Sequence, residues 1–308
     1  MQEPELLTEY IGTGAQAKPF LKWTGGKAQL IPNISKAVDR IVGKWDSFTY
    51  IEPFVGSGSV LFWFLRKYNN LRKVVINDIS RDLMTAYRVV KNYPHELVGI
   101  LRTIERSYHA IQDQDGRRNF YLSVRSRFNE KRSDEIENTA LLIFLNRTCY
   151  NGFFRVNRKG TFSVPFGKYE NPRICDEENI MTASVLLQKA EILCGDFEDT
   201  IYHANGNSLF YFDPPDKPVI ETSPFKSFSK NEFRDTEKIR LRNFCDMVNA
   251  SGYKFVLSNS DIGNFDISGY FFNRLYSAYN INRVHVKSMI HSDDSKRGEI
   301  FELIIDNY

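Results

Sequence analysis

Apolar residues recur with a helical period at Leu30, Ile34, Ala37, Val38 and Ile41, which predicts a helix over Lys27–Val42 with that face packed inward. Apolar runs of strand length come next, at Tyr50–Glu52 and in KVVIN (Lys73–Asn77). Between them the loop PFVGSGS (Pro53–Ser59) leads into a helix through Leu61, Leu65 and Tyr68. The second strand closes on Asp78, and a further helix is expected over Leu83–Asn92. Strand, glycine loop, helix, strand and acid, in that order, open a doubly wound α/β sheet.

The alternation then stops. From about 94 to 149 the pattern is that of consecutive helices, including the apolar ALLIFL at Ala140–Leu145. The glycine- and arginine-containing NGFFRVNRKGTFSVPFGKY follows and reads as a β-hairpin turning near Lys159–Gly160. Strand signals resume at Ala190–Leu193, LFYF (Leu209–Phe212), KFVLS (Lys254–Ser258) and the final FELII, with a helix expected over Glu232–Asn249. The chain therefore divides into a discontinuous α/β core, 1–92 with 175–308, and an inserted unit at 93–174. Residues 1–18 show no apolar period and read as a loose lead-in.

Composition changes this picture little. In 308 residues, 42% hydrophobic and 26% charged content is that of a globular protein. No apolar run approaches the roughly 18 residues of a membrane span, so no membrane association is expected. The polar, acidic N-terminus is unlike a secretory signal and favours a cytoplasmic location. Cys149, Cys175, Cys194 and Cys245 form no CxxC pair, so reduced packing residues are expected and no metal site.

Charge matters through its location. The net charge is only +3, yet Arg117, Arg118, Arg125, Arg127, Lys131 and Arg132 crowd one segment, followed by Arg147, Arg155, Arg158, Lys159, Lys168 and Arg173. A basic middle in a nearly neutral chain suggests a face for phosphates. A solvated helix face balanced by acids elsewhere would give the same count.

Two loops carry candidate chemistry. In EPFVGSGS, Gly56 and Gly58 follow a strand and precede a helix, where a missing β-carbon lets a ligand lie against the backbone. Asp78, ending the next strand, can accept from both hydroxyls of a ribose. Neither GxxxxGK[ST] nor a full GxGxxG is present, so a nucleoside without pyrophosphate, S-adenosylmethionine, fits better than NAD or ATP. A tight turn with no ligand would look similar. The strand LFYF runs into Asp213-Pro214-Pro215-Asp216. Two prolines stiffen this turn at the carboxyl end of a strand, where open sheets bind ligands. Asp213 and the Pro214 carbonyl are then fixed acceptors for an exocyclic amine, whose nitrogen gains lone-pair density to attack a sulfonium methyl. A structural Asp-Pro-Pro loop is the alternative.

With these motifs in place, the chain resembles the Dam-like adenine-N6 DNA methyltransferases in the α arrangement, above all the members that methylate adenine in GATC. The likeness runs through PFLKWTGGK (Pro19–Lys27), EPFVGSGS, IND (Ile76–Asp78), YNGFFRVN (Tyr150–Asn157), FSVPFGKY (Phe162–Tyr169), GDF (Gly195–Phe197), DPPD and LSNS (Leu257–Ser260). It implies a Rossmann-like S-adenosylmethionine-dependent methyltransferase core with a helical and β-hairpin DNA-recognition insertion at 93–174. It also implies that Trp23 and Lys27 hold the methionine part of the cofactor. Asp78 would take the ribose, Asp196 and Phe197 the adenine, with Phe54, Gly56, Gly58 and Asp213 completing the cofactor site. Asp213, Pro214, Pro215 and Asp216 would form the catalytic turn. Lys22, Tyr150, Asn151, Phe153, Arg155, Asn157 and Pro165 would read or distort double-stranded DNA, Arg155 as a bidentate guanine reader. A monomer is expected, with any cognate restriction endonuclease a functional and not a physical partner.

One residue departs from the family. Its fourth tetrapeptide position is aromatic, usually tyrosine, and here it is Asp216. A flipped target adenine loses a stacking partner worth about 1–3 kcal/mol, and a second carboxylate stands beside Asp213. The expected consequence is lowered turnover. A DNA- and cofactor-binding variant with impaired catalysis is thus the second reading, and a Rossmann-type dehydrogenase the third. The basic insertion and the incomplete dinucleotide fingerprint disfavour that third reading.

Overall fold

The computed structural model describes residues 16–23, 27–157, 160–215, 233, 235–261, 268–287 and 299–308. Its centre is a seven-stranded sheet in the order β3-β2-β1-β4-β5-β7-β6. The strands are β1 (Phe48–Glu52), β2 (Leu71–Ile76), β3 (Ala190–Ile192), β4 (Ser208–Phe212), β5 (Lys254–Asp261), β6 (Asn280–Lys287) and β7 (Glu299–Asp306). The first five run parallel, while β7 lies antiparallel to both β5 and β6.

Every residue of β1 and of β4 is buried, as a parallel strand covered on both faces requires. Side chains alternate between two apolar layers. Tyr50, Val74, Tyr211 and Ile304 face one cluster, and Ile51, Val75, Phe210, Phe212, Leu303 and Ile305 the other. The strand order reverses between β1 and β4, which are hydrogen-bonded neighbours. Their carboxyl ends therefore deliver the glycine loop and the Asp213 turn to one crevice, the ligand position of an open α/β sheet. This is the expected Rossmann-like core.

Helix α1 (Ile31–Val42) starts four residues later than the apolar period predicts, because Ala28–Leu30 form a 3-10 turn and Pro32 sits in the first helical turn. Helix α2 (Ser59–Lys67) leaves the glycine loop, and α3 (Arg81–Asn92) follows β2. The inserted helices are α4 (Pro94–His109), α5 (Gln114–Glu130) and α6 (Glu135–Thr148), and α7 (Glu177–Leu187) returns the chain to β3. Asp113 and Asp134 cap α5 and α6 by accepting from Gly116 N and Glu137 N. Residues Thr139–Asn146 of α6 are buried all round, so this helix forms the middle of the insertion. Its core joins the first sheet layer through Tyr108, Tyr121, Phe128 and Phe144.

The segment read as a hairpin pairs over a short stretch: Val156 bridges Phe162 antiparallel, Asn157 N donates to Thr161 O at 2.9 Å and Ser163 N to Arg155 O at 3.3 Å, with a further bridge of Cys149 to Phe166. The helix expected from Glu232 is described from Asp235, as α8 (Asp235–Ala250); Glu232 lies outside the described residues. Helix α9 (Ser268–Leu275) and strand β6 escaped the sequence reading. In β6, NINRVHVK carries only three apolar residues in eight positions, the weak signal of a half-exposed edge strand.

Candidate active site

Glu52, Pro53 and the glycine loop close around Asn77. Asn77 N donates to Glu52 O at 3.0 Å, and its amide donates to Pro53 O at 3.1 Å and to Gly195 O at 3.0 Å. One buried side chain thus ties together the ends of β1, β2 and β3. Gly56 and Gly58 both take positive φ, +49° and +77°. A β-carbon on Gly58 would lie 2.4 Å from the Tyr87 hydroxyl, which donates to Gly56 O at 3.1 Å. Only glycine fits there.

Asp78 is anchored at the crevice rim. Its carboxylate accepts from Gly56 N at 3.3 Å and from Ser80 N at 2.9 Å. Burial raises its pKa even so, against the backbone hydrogen bonds that favour the charged form. Beside it Ile79 is 62% exposed, an apolar surface that the sequence reading passed over. Trp23 reaches the same loop, 3.4 Å from where a Gly56 β-carbon would stand, and stacks on Phe154 with centroids 5.0 Å apart.

At the end of β4, Asp213 Oδ1 accepts from Ser258 Oγ at 3.2 Å, and that hydroxyl is 2.8 Å from the fully buried Tyr211 hydroxyl. The Lys27 ammonium lies 3.8 Å from Asp213 Oδ1 and 3.2 Å from Glu302 Oε2. Pro214 is buried and Pro215 exposed, while Asp216 lies outside the described residues. Ser258, Ser260 and Glu302 were not singled out individually from the sequence. Serines in LSNS and an acid in FELII carry no local signal of their own.

Asp196 and Phe197 stand across the sheet from this cluster. Asp196 caps the 3-10 turn Phe197–His203 and pairs with Arg240 of α8. Burial pushes its carboxyl up, but hydrogen bonds from Arg240 and Glu198 N bring it below the ordinary value. The Arg240 guanidinium lies 4.6 Å over the Phe197 ring, and Phe54 packs 5.2 Å from Phe197. The purine-side candidates are thus already gripped by an arginine that the sequence did not flag.

Glu52 is 2% exposed and accepts from the Tyr50 hydroxyl at 2.8 Å. Burial pushes its carboxyl well above the ordinary value; the Tyr50 bond opposes this, and nearby Asp213 and Asp78 add to it. With its folded value raised above the unfolded one, this group's contribution to stability falls as pH rises from the ordinary carboxylate value toward the folded one. Glu52→Gln keeps an acceptor for Tyr50. It is expected to raise stability against urea at about pH 8 and to change it little at about pH 4. Equal effects at both would show that the fold leaves the Glu52 carboxyl unshifted.

The DNA candidates gather on the other side of Trp23. Asn146, buried in α6, accepts from Lys22 N at 2.8 Å and donates to Lys22 O and Gly152 O. Lys22 is thereby fixed beside Tyr150–Gly152. Tyr150 is 57% exposed, and its N–H donates to Pro165 O at 2.8 Å. Asn151 takes a left-handed φ of 57°, and its N–H donates to the Tyr169 hydroxyl at 3.1 Å. Such backbone is strained for a non-glycine residue and persists only when its surroundings hold it. The exposed Arg155 lies 5.6 Å over the Phe153 ring, and Asn157 accepts from Thr161 N at 3.2 Å. Lys22, Tyr150, Asn151, Phe153, Arg155 and Pro165 are thus presented by one loop system locked through Asn146.

The basic segment is only partly a free face. Arg117 and Arg125 donate to backbone carbonyls of Ile111, Glu170 and Val164. Arg127, Lys131 and Arg173 pair with Glu137, Asp82 and Asp176. Arg118, Arg132, Arg155 and Lys168 are exposed, while Arg158 and Lys159 lie outside the described residues. Among the described residues no helix is long and apolar enough to cross a membrane, and no cluster of potential metal ligands occurs.

Comparison with known proteins places the chain in a family. The family model described as D12 class N6 adenine-specific DNA methyltransferase matches residues 23–290. Type II methyltransferase M.MjaIII of Methanocaldococcus jannaschii is 44% identical over 296 residues, covering 95% of this chain and 100% of its own. Type II methyltransferase M1.LlaDCHI of Lactococcus lactis subsp. cremoris is 34% identical, covering 94% of this chain and 95% of its own. DNA adenine methylase of Haemophilus influenzae is 30% identical, covering 93% and 92%.

Proposed function

This chain belongs to the D12 class of N6 adenine-specific DNA methyltransferases, and on that premise we propose that S-adenosylmethionine is its methyl donor and adenine in GATC, or a GAT-containing duplex site, its target. The donor assignment is carried by Asp78, whose carboxylate is fixed by Gly56 N and Ser80 N at the rim of a loop that only glycine can form. A carboxylate there suits two ribose hydroxyls, and the exposed Ile79 beside it suits a purine face. When bound, the cofactor supplies an electrophilic methyl on sulfur. Trp23 and Lys27 would hold its methionine part, and Phe54, Gly56, Gly58, Asp196 and Phe197 would line the rest. Asp213 and the Pro214 carbonyl would accept the two hydrogens of the target amine and turn its lone pair toward that methyl.

Residues 93–174 would serve as the target-recognition unit. The GATC assignment is supported by YNGFFRVN and by an exposed Arg155 guanidinium held against an aromatic ring. The runner-up, impaired catalysis through Asp216, rests on the tetrapeptide itself. The chain would act as a monomer, any restriction endonuclease being a partner in function alone.

Calorimetry with S-adenosylmethionine is the primary test. Binding is expected to weaken by at least about tenfold in Asp78→Ala, since a charged acceptor of two hydrogen bonds is removed. No heat from the parent chain at millimolar cofactor would end the proposal. For specificity, Arg155→Ala should reduce the preference for GATC over altered duplexes by about 1–3 kcal/mol, the worth of one bidentate base contact. Equal losses on cognate and scrambled DNA would instead make Arg155 a phosphate contact.

A further inference from the structure

Strand β7 brings a further carboxylate to the crevice. Glu302 stands opposite Ser260 in the antiparallel β5–β7 ladder, so the sheet register itself sets its place. Ser260 Oγ donates to Glu302 Oε1 at 2.9 Å. The Lys27 ammonium lies 3.2 and 3.4 Å from the two Glu302 oxygens, 3.4 Å from Ser260 Oγ and 3.8 Å from Asp213 Oδ1. Lys27 and Glu302 are only 8% and 7% exposed, so water screens these charges little.

Among the described residues this ammonium lies between two carboxylates and sits nearer Glu302 than Asp213. An ammonium hydrogen-bonded to a carboxylate in a protected site closes to a contact of about 2.8 Å. Such a contact on Asp213 would place a full positive charge against the acceptor of the target amine. It would compete with that amine for the same lone pairs. Ser258, backed by Tyr211, already fixes Oδ1 from the sheet side; a second tight donor would weaken Asp213 further as an acceptor.

We propose that Glu302 is a positioning residue for methyl transfer: it draws the Lys27 ammonium toward β7 and prevents it from closing over Asp213. The inference rests on the reading of Asp213 as acceptor of the target amine. It gives the C-terminal strand a role in catalysis that its sequence, FELII, does not advertise.

Glu302→Gln removes the charge while keeping the size and an acceptor for Ser260. A crystal structure of this variant is expected to show Lys27 Nζ within about 3 Å of Asp213. Single-turnover methyl transfer at saturating S-adenosylmethionine should fall about 30-fold or more. In a Lys27→Met background the same substitution should cost less than about threefold, because Glu302 acts through the ammonium. An unmoved Lys27, or an equal loss in both backgrounds, overturns the proposal. So does a lowered melting temperature with an unchanged rate per folded molecule. Should Glu302→Gln fail to fold, Ser260→Ala loosens the same carboxylate, and an unmoved Lys27 there counts equally against the idea. If the parent chain binds no S-adenosylmethionine, the donor assignment fails, and the Lys27–Asp213 distance still decides the role of Glu302.

Discussion

Asp213→Ala is expected to lower methyl transfer by about a thousandfold or more, roughly 4 kcal/mol of transition-state stabilisation, while the protein still folds and still binds DNA. The expectation follows from how the residue is held. Strand β4 is buried along its whole length and ends at Phe212, so Asp213 leaves the sheet from a rigid base. Ser258 and Tyr211 fix one carboxylate oxygen from below, and Lys27 stands 3.8 Å away. A preorganised acceptor of this kind needs no rearrangement as charge develops on the target amine. Glu302 is occupied with Lys27 and Ser260, and Glu52 with the Tyr50 hydroxyl. Asp213→Asn is the sharper control, since it keeps the shape but turns part of the acceptor into a donor, and it should lose nearly as much. Single-turnover transfer to GATC duplex decides this. A variant within tenfold of the parent would move the acceptor role to another group.

The core was legible because period and punctuation agreed. In β1, β2 and β4, short apolar runs end at proline, asparagine or aspartate, and each became a strand at the expected place. The carboxyl-end position of Asp78 and of Asp213 followed directly from that pattern. What stayed hidden depends on pairing across long separations. Glu302 meets Lys27 only because β7 folds back antiparallel on β5, a register set 42 residues away at Ser260. Asn146 looks like an interruption of an apolar helix, yet it clamps Lys22 and Gly152. The basic segment misled in the other direction. Counting arginines cannot distinguish Arg117 and Arg125, which hold backbone carbonyls, from Arg118 and Arg155, which face solvent.

Restoring an aromatic at the fourth tetrapeptide position, Asp216→Tyr, should raise turnover by roughly 10- to 100-fold and leave S-adenosylmethionine affinity within a few-fold, because stacking on a flipped base is worth about 1–3 kcal/mol. Asp216 lies outside the described residues, so the prediction stands on the sequence of the turn and on its anchored neighbour. Two physical costs are combined in the parent residue. Aspartate offers no ring to hold an adenine taken out of the duplex, and it places a negative charge three residues from Asp213, where like charges raise each other's pKa. Asp216→Asn separates them, since it removes the charge and supplies no ring. If lost stacking dominates, Asn recovers only a small part of what Tyr recovers. If repulsion dominates, the two variants should turn over alike. Cofactor binding reports on neither cost, because the Gly56–Asp78 anchor belongs to β1 and β2. Steady-state and single-turnover rates on duplex and single-stranded GATC substrates, for all three proteins, complete the comparison. A single strand needs less energy to present its base, so the gain from Tyr should shrink there. A parent chain that already matches Asp216→Tyr on duplex DNA would refute the stacking account and point to another aromatic as the residue that meets the base.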